Sequence, residues 1–252
     1  MYPAVFYLCD MPVSAARACM KLHLPANGQP GRSILPDCRK DGREMTAFDE
    51  IQKRIRAYRL KRMLAGEDIS ARRLNEAVDM IISQARRDLA AGVRKDKVLF
   101  AFESTFEKIS DEIARLRENG DTVGYRDIYA KIYCFAEEMM ADGYMPLYLF
   151  IMYRYAGALL ETGEAAAAAQ MFGKLCAGTD RLIGIRNTYG IHCLERLTEA
   201  AIRSGRPQTA MKALEEMNEI SDEEFGESGA VPLAVRLFTE RAKTEIDRCK
   251  AT

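Results

Sequence analysis

Apolar residues recur every three or four positions along most of this chain, which is the spacing of one face of an α-helix. The clearest case lies within residues 148–176, where the apolar face is formed by Leu149, Met152, Tyr153, Ala156, Leu159 and Leu160. An alanine-rich stretch with strong helix propensity follows a Thr-Gly pair. Glycine adopts a left-handed conformation beyond a helix end at little cost. The pattern therefore predicts two helices, 147–161 and 164–176, folded back on each other at Gly163.

The same turn occurs at two other places at nearly equal spacing. Gly120 lies 43 residues before Gly163, and Gly205 lies 42 residues after it. The segments around the three glycines share a phrase, LRENGD, LLETGE and AIRSGR. Internal repetition with a period of this length is typical of helical-repeat proteins, in which each repeat buries its apolar face against its neighbours.

The middle pair resembles a tetratricopeptide repeat. Ala156 occupies the small position of the first helix, and Gly163 is followed by Ala168, Phe172 and Leu175 at offsets of five, nine and twelve. The resemblance covers about 98–222 and implies stacked antiparallel helix pairs that bind a protein or peptide. Since the period exceeds the roughly 34 residues of that repeat and falls in the range of about 40–47 of HEAT repeats, a HEAT-like array or an irregular helical bundle is the alternative.

The first helix of the first pair is predicted at 97–118. Outside the three pairs, three further helices are predicted at 46–65, 71–91 and 232–249, and they bring the expected total to about nine. We expect the last one to bury Leu233, Leu237, Ala242 and Ile246 and to expose its charged side chains, as a terminal capping helix does. The expected fold class is therefore all-α, with little or no sheet.

Composition divides the chain into three parts. Residues 1–44 hold five of the eight prolines and are expected to form a loosely ordered Pro/Gly-rich arm, and the abrupt shift after it suggests that Met45 is the native start. Residues 45–97 are a basic helical segment with net charge +5, and residues 98–252 are the helical-repeat domain with net charge −7. The opposite charges favour either self-association or a partner with its own charge bias.

Cysteine usage and hydropathy bear on the compartment. The seven cysteines are odd in number and widely spaced, which indicates reduced thiols rather than a disulfide framework. No apolar run reaches the length of a membrane-spanning helix, and the N-terminus lacks the pattern of a secretory signal. A cytoplasmic location is expected.

Sites for chemistry are poorly supported by the sequence. Cys9, Cys19, His23 and Cys38 could supply four zinc ligands, but no Cys-x2-Cys knuckle is present and scattered thiols are the preferred interpretation. The adjacent His192 and Cys193 point about 100° apart on a helix, so they do not form a nucleophile–base pair. No phosphate-binding loop or hydrolase motif appears. We expect no catalytic residues, no resident metal, no cofactor and no enzymatic activity.

A basic helix is the main feature that favours nucleic acid. Residues 53–62 contain six cations, Lys53, Arg54, Arg56, Arg59, Lys61 and Arg62. Such a helix can neutralise phosphates. The preferred interpretation is a solvated basic surface, or one that docks on the acidic half of the chain.

The resemblance also implies a binding surface, because the first helices of tetratricopeptide pairs line a concave groove. Position by position, it points to Phe150, Tyr153, Gly157, Leu160 and Glu161 in the middle pair and to His192, Glu195, Glu199, Ile202 and Arg203 in the next. The strongest candidates are Phe150, Tyr153, Gly157, Glu195 and Glu199. Aromatic residues beside carboxylates suggest an apolar ligand with basic flanks, although Phe150 and Tyr153 could equally belong to the core between repeats.

The sequence thus predicts a protein- or peptide-binding adaptor or scaffold, or the sensor part of a regulator. A nucleic-acid-associated regulator and a self-associating structural protein are the alternatives. The partner and the oligomeric state are left open.

Overall fold

The computed structural model describes residues 70–140, 145–226 and 228–251, and these residues form eight α-helices and no strand. The helices are α1 (Ala71–Ala90), α2 (Lys95–Glu118), α3 (Thr122–Met140), α4 (Met145–Glu161), α5 (Ala165–Ile183), α6 (Thr188–Arg203), α7 (Pro207–Phe225) and α8 (Ala230–Ala251). The all-α class expected from the apolar periodicity is confirmed.

The three predicted glycine turns have one geometry. Gly120, Gly163 and Gly205 have φ values of +87°, +87° and +68°. In each turn the glycine N–H donates to the carbonyl three residues earlier, and the next N–H donates to the carbonyl five residues earlier, at 2.8–3.3 Å. This pairing is the Schellman motif, which satisfies the last carbonyls of a helix and requires a left-handed residue. Each turn therefore folds a helix back on the preceding one.

A fourth turn of the same kind was not recognised as part of the repeat pattern. Gly92 has φ +79° and makes the same two hydrogen bonds between α1 and α2. Helix α1 packs against both α2 and α3, so it belongs to the same stack as the helices that follow. The boundary between a basic segment and a repeat domain at residue 97 stays a prediction.

The core runs along the whole stack rather than forming one centre. The expected apolar faces of α1, α2 and α4 are buried, as in Leu74, Phe106 and Leu149. Small buried side chains at Ala156, Ala165, Ala168 and Ala169 let neighbouring backbones approach closely. Each helix packs against the next in sequence, and α8 packs against both α7 and α6.

Two details differ from the sequence-based expectation. Helix α5 continues to Ile183 instead of ending at Cys176, because no proline stops it, and Gly178 and Thr179 are buried in the added turns. In α8, Leu233 and Leu237 are not buried as expected but are 48% and 56% exposed. The buried face consists of Val235, Thr239, Ala242 and Ile246. Thr239 can occupy that face because its hydroxyl donates to Oδ1 of Asn218 at 3.1 Å.

Several predictions concern residues outside the described part of the chain. These are the Pro/Gly-rich arm at 1–44, the basic helix at 46–65 with its six cations, and the four zinc-ligand candidates Cys9, Cys19, His23 and Cys38.

Candidate functional site

A groove of about 400 Å³ runs along one side of the stack. Its walls come mainly from α4, α6 and α8, with α2 contributing Arg117 at one end. The first helix of each predicted pair therefore contributes to one surface, and α8 occupies the next position in that series. The lining residues used below are Arg117, Tyr125, Tyr153, Arg154, Gly157, Glu161, Ile191, His192, Glu195, Arg196, Glu199, Leu237, Phe238 and Arg241.

A chain of buried hydrogen bonds connects α4 to α6 in the wall of the groove. The Tyr153 hydroxyl lies 2.7 Å from Nε2 of His192, and Nδ1 of His192 lies 3.0 Å from a carboxylate oxygen of Glu195. An ionised Glu195 favours the tautomer that carries a proton on Nδ1, so that Nε2 accepts from the Tyr153 hydroxyl. The chain holds three of the groove residues in fixed positions.

Aromatic packing and a helix cap fix the same region. The Tyr153 ring meets Phe172 edge-on at 5.9 Å between centroids and lies 6.3 Å from the Tyr189 ring. Asn187 caps the N-terminus of α6: its side chain accepts from the Gly190 N–H at 3.0 Å and donates to the Gly184 carbonyl at 2.6 Å. These two hydrogen bonds of one amide side chain orient the first turn of α6, and with it His192.

Two of the three carboxylates in the groove wall are held on both oxygens by arginines of the chain. Glu161 accepts from Arg117 of α2 at 2.7 and 2.9 Å. Glu199 accepts from Arg196 at 2.6 Å and from Arg203 at 2.5 Å. Charge-assisted pairs of this kind are strong and directional. The reason to expect a basic flank on a ligand is therefore removed at Glu199, whose two oxygens accept from arginines. The neutral imidazole of His192 orients Glu195 but does not compensate a carboxylate charge there.

Of the five strongest binding candidates, Phe150 lies outside the groove. It is buried between α4 and α2, where its ring meets Phe106 edge-on at 6.4 Å and carries the Arg154 guanidinium 5.2 Å above it. Leu160 is also buried in the core. The other strongest candidates, Tyr153, Gly157, Glu195 and Glu199, lie together in the groove wall.

Gly157 forms an open part of the wall. It lies in the interior of α4, and a Cβ atom built on it has no other atom within 4 Å. A Cβ atom at this position would therefore enter the groove without displacing a neighbouring side chain. Gly173 in α5 has the same freedom but does not line the groove.

The sequence did not identify the contribution of α8 or of Arg154. Leu237, Phe238 and Arg241 line the groove from α8, where Leu237 was expected to be buried in the core. Burial raises the pKa of Tyr125, while the neighbouring Arg154 and Arg117 oppose that rise. The pairing of Tyr125 with Arg154 depends on the packing of α3 against α4, for which residue spacing gives no signal.

The described residues bring together no group of three or more His, Cys, Asp or Glu side chains that could hold a metal ion. Within the same ranges, none of the eight helices combines the length and hydropathy needed to cross a bilayer. The groove offers shape, apolar surface and fixed arginines, which are features of recognition.

Comparison with known proteins supports the fold. No protein-family model and no curated protein sequence matches the chain. Among solved structures, it is similar to a variant of a protein from Podospora anserina, described as a kinesin light chain with nearly identical TPR-like repeats. The two chains are 13% identical with a TM-score of 0.50, over 82% of this chain and 95% of that one. The tetratricopeptide-like arrangement of helix pairs is thereby confirmed.

Proposed function

We propose that this chain is a protein-binding adaptor or scaffold that takes a segment of its partner into the groove between α4, α6 and α8. The observation that carries the proposal is the convergence of the first helices of successive pairs on one concave surface. Folds of this type generally mediate protein–protein interaction, and their concave surfaces are the usual binding sites. We place this function in the cytoplasm, in accordance with the cysteine usage.

Rigidity of the wall supports the proposal. Tyr153, His192 and Glu195 are linked by hydrogen bonds, and Glu161 and Glu199 are held by arginines, so several wall side chains are ordered before any ligand arrives. Preorganised side chains lose little conformational entropy on binding, which leaves more of the contact energy for affinity. Leu237 adds an exposed apolar contact on the opposite wall.

Gly157 gives the sharpest test of this function. Gly157→Leu places a side chain in the groove, and the helix gains stability because glycine costs about 0.5–1 kcal/mol in a helix interior. Gly173→Leu is the matched control in α5. The full chain and both variants are used as bait in the source lysate, with and without nuclease.

The proposal expects a protein that is retained by the wild type and by Gly173→Leu, lost with Gly157→Leu, and unaffected by nuclease. Retention by all three baits would contradict the groove as the binding site. Recovery that vanishes with nuclease would instead support the alternative of a nucleic-acid-associated regulator acting through Lys53, Arg54, Arg56, Arg59, Lys61 and Arg62.

A further inference from the structure

We infer that the groove selects partner segments in which apolar side chains are flanked by carboxylates. This inference rests on the proposed function and specifies the chemistry of the partner. It reverses the charge expected from Glu195 and Glu199 alone.

The acidic side chains of the groove wall already have hydrogen-bond partners within the protein. The groove wall contains Glu161, Glu195 and Glu199, and each is hydrogen-bonded within the protein. A carboxylate that already accepts from a guanidinium on both oxygens attracts a further cation weakly, because its charge is compensated nearby. At Glu161 and Glu199, a basic side chain from a ligand would therefore have to displace Arg117, Arg196 or Arg203.

Arginines outnumber glutamates in the groove wall. The groove wall holds four arginines, Arg117, Arg154, Arg196 and Arg241, against three glutamates, so its formal charge is +1. The surrounding residues 98–252 carry 18 basic and 25 acidic residues, a net charge of −7. A cationic groove inside an acidic array is a local feature that favours carboxylates at this one surface.

The apolar surface of the groove lies close to its arginines. Leu237 and Arg241 are one helical turn apart on α8, and both line the groove. Arg154 follows Tyr153 on the facing helix α4 and also lines it. The α8 wall thus places an exposed apolar side chain one turn from the Arg241 guanidinium, which makes a long surface pair with Glu245 at 3.5 Å. A segment with an apolar anchor and acidic neighbours matches Leu237 together with Arg241 and Arg154, and guanidinium–carboxylate bonds would fix its register.

The experiment is selection of peptides from a random library displayed on phage, using the full chain. The selected peptides are synthesised together with versions in which Asp and Glu are replaced by Asn and Gln. Binding is measured to the wild type, to Arg241→Gln, to Arg154→Gln with Arg241→Gln, and to Gly157→Leu. Arg236→Gln with Arg248→Gln is the control, because both arginines are exposed on α8 outside the groove. The single variant Arg241→Gln keeps Arg154 on the Phe150 ring, so it still tests the groove if the double variant does not fold.

The inference expects enrichment of apolar peptides with acidic flanks. Their affinity should fall about tenfold or more in the double groove variant and in the amide versions, and remain within about twofold in the control. Peptides that Gly157→Leu blocks but that have basic or neutral flanks, or ignore the groove arginines, would overturn the inference and leave the proposed function standing. Failure to select any peptide that depends on Gly157 would overturn both.

Discussion

The hydroxyl of Tyr153 lies 2.7 Å from Nε2 of His192, and this contact joins two helices through residues that are 39 positions apart in sequence. Both side chains are almost completely buried, at 9% and 3% exposure. The contact makes Tyr153 and His192 structural parts of the groove wall as well as candidates for ligand contact. Substitutions that remove either side chain would therefore change folding and binding together.

Tyr153→Phe tests the strength of this contact. The ring keeps its packing on Phe172, but the buried Nε2 of His192 loses the tyrosine hydroxyl, so we expect a loss of about 1–3 kcal/mol in the free energy of unfolding. The control is Tyr133→Phe, whose hydroxyl bonds to the half-exposed Glu137 and can be replaced by water. Urea denaturation compares the two variants. Equal small losses would show that the Tyr153–His192 bond is not a stabilising link.

The glycine turns give a second prediction. Gly163→Ala should destabilise the protein by about 1–2 kcal/mol, since φ +87° is unfavourable for any residue with a Cβ. No atom crowds the added methyl group, so the cost is purely conformational. Gly173→Ala has the same open space inside a helix and should stabilise by about 0.5–1 kcal/mol. Thermal denaturation of both variants checks the opposite signs, and a neutral Gly163→Ala would argue against the left-handed turn.

Thiol reactivity should separate two cysteines. Burial raises the pKa of Cys176 to about 12, so its reactive thiolate is scarce near neutral pH. Cys134 is exposed. Alkylation of the native protein at about pH 8, followed by peptide mass spectrometry, should label Cys134 first and Cys176 only after unfolding. Fast native labelling of Cys176 would contradict the packing of α5.

Stability should fall at high pH because buried tyrosines resist ionisation. Burial raises the pKa of Tyr125 and Tyr129, and it is also the main cause of the raised pKa of Tyr133 and Tyr155. The folded pKa lies above the unfolded value of about 10, so this stabilisation is complete below about pH 10 and is lost as the pH rises through the folded pKa. Absorbance at about 295 nm and urea titrations between about pH 8 and 11 should show delayed ionisation and decreasing stability. Full, immediate ionisation near pH 10 without unfolding would be inconsistent with buried phenols.

Local signals in the sequence were sufficient for the helices and their turns. Gly120, Gly163 and Gly205 were identified because left-handed C-terminal positions strongly favour glycine. Gly92 has the same geometry but was not assigned to the repeat, since its neighbours do not share the phrase around the other three glycines. The repeat resemblance also pointed to Tyr153, Gly157, Glu195 and Glu199, which lie together in the groove wall.

The remaining features depend on tertiary contacts. In α8, Ala242 and Ile246 are buried as predicted, but Leu233 and Leu237 are exposed. Thr239 is buried in the same helix, and its burial depends on a hydrogen bond to Asn218 of another helix. The partners of Glu161 and Glu199 could not be predicted either, because long charged side chains choose among several neighbours once the helices are packed. Those partners decide the charge that the groove offers to a ligand.

Site-specific photo-cross-linking is the most direct test of the groove as the binding surface. A benzophenone-bearing phenylalanine analogue is introduced at Gly157 in one protein and at Gly173 in another, since a Cβ atom meets no neighbouring side chain at either position. Each protein is irradiated with a ligand obtained from the lysate capture or from the peptide selection. The account predicts a cross-linked product from position 157 alone, with competition by unlabelled ligand. Equal cross-linking from both positions, or cross-linking from position 173 alone, would contradict it.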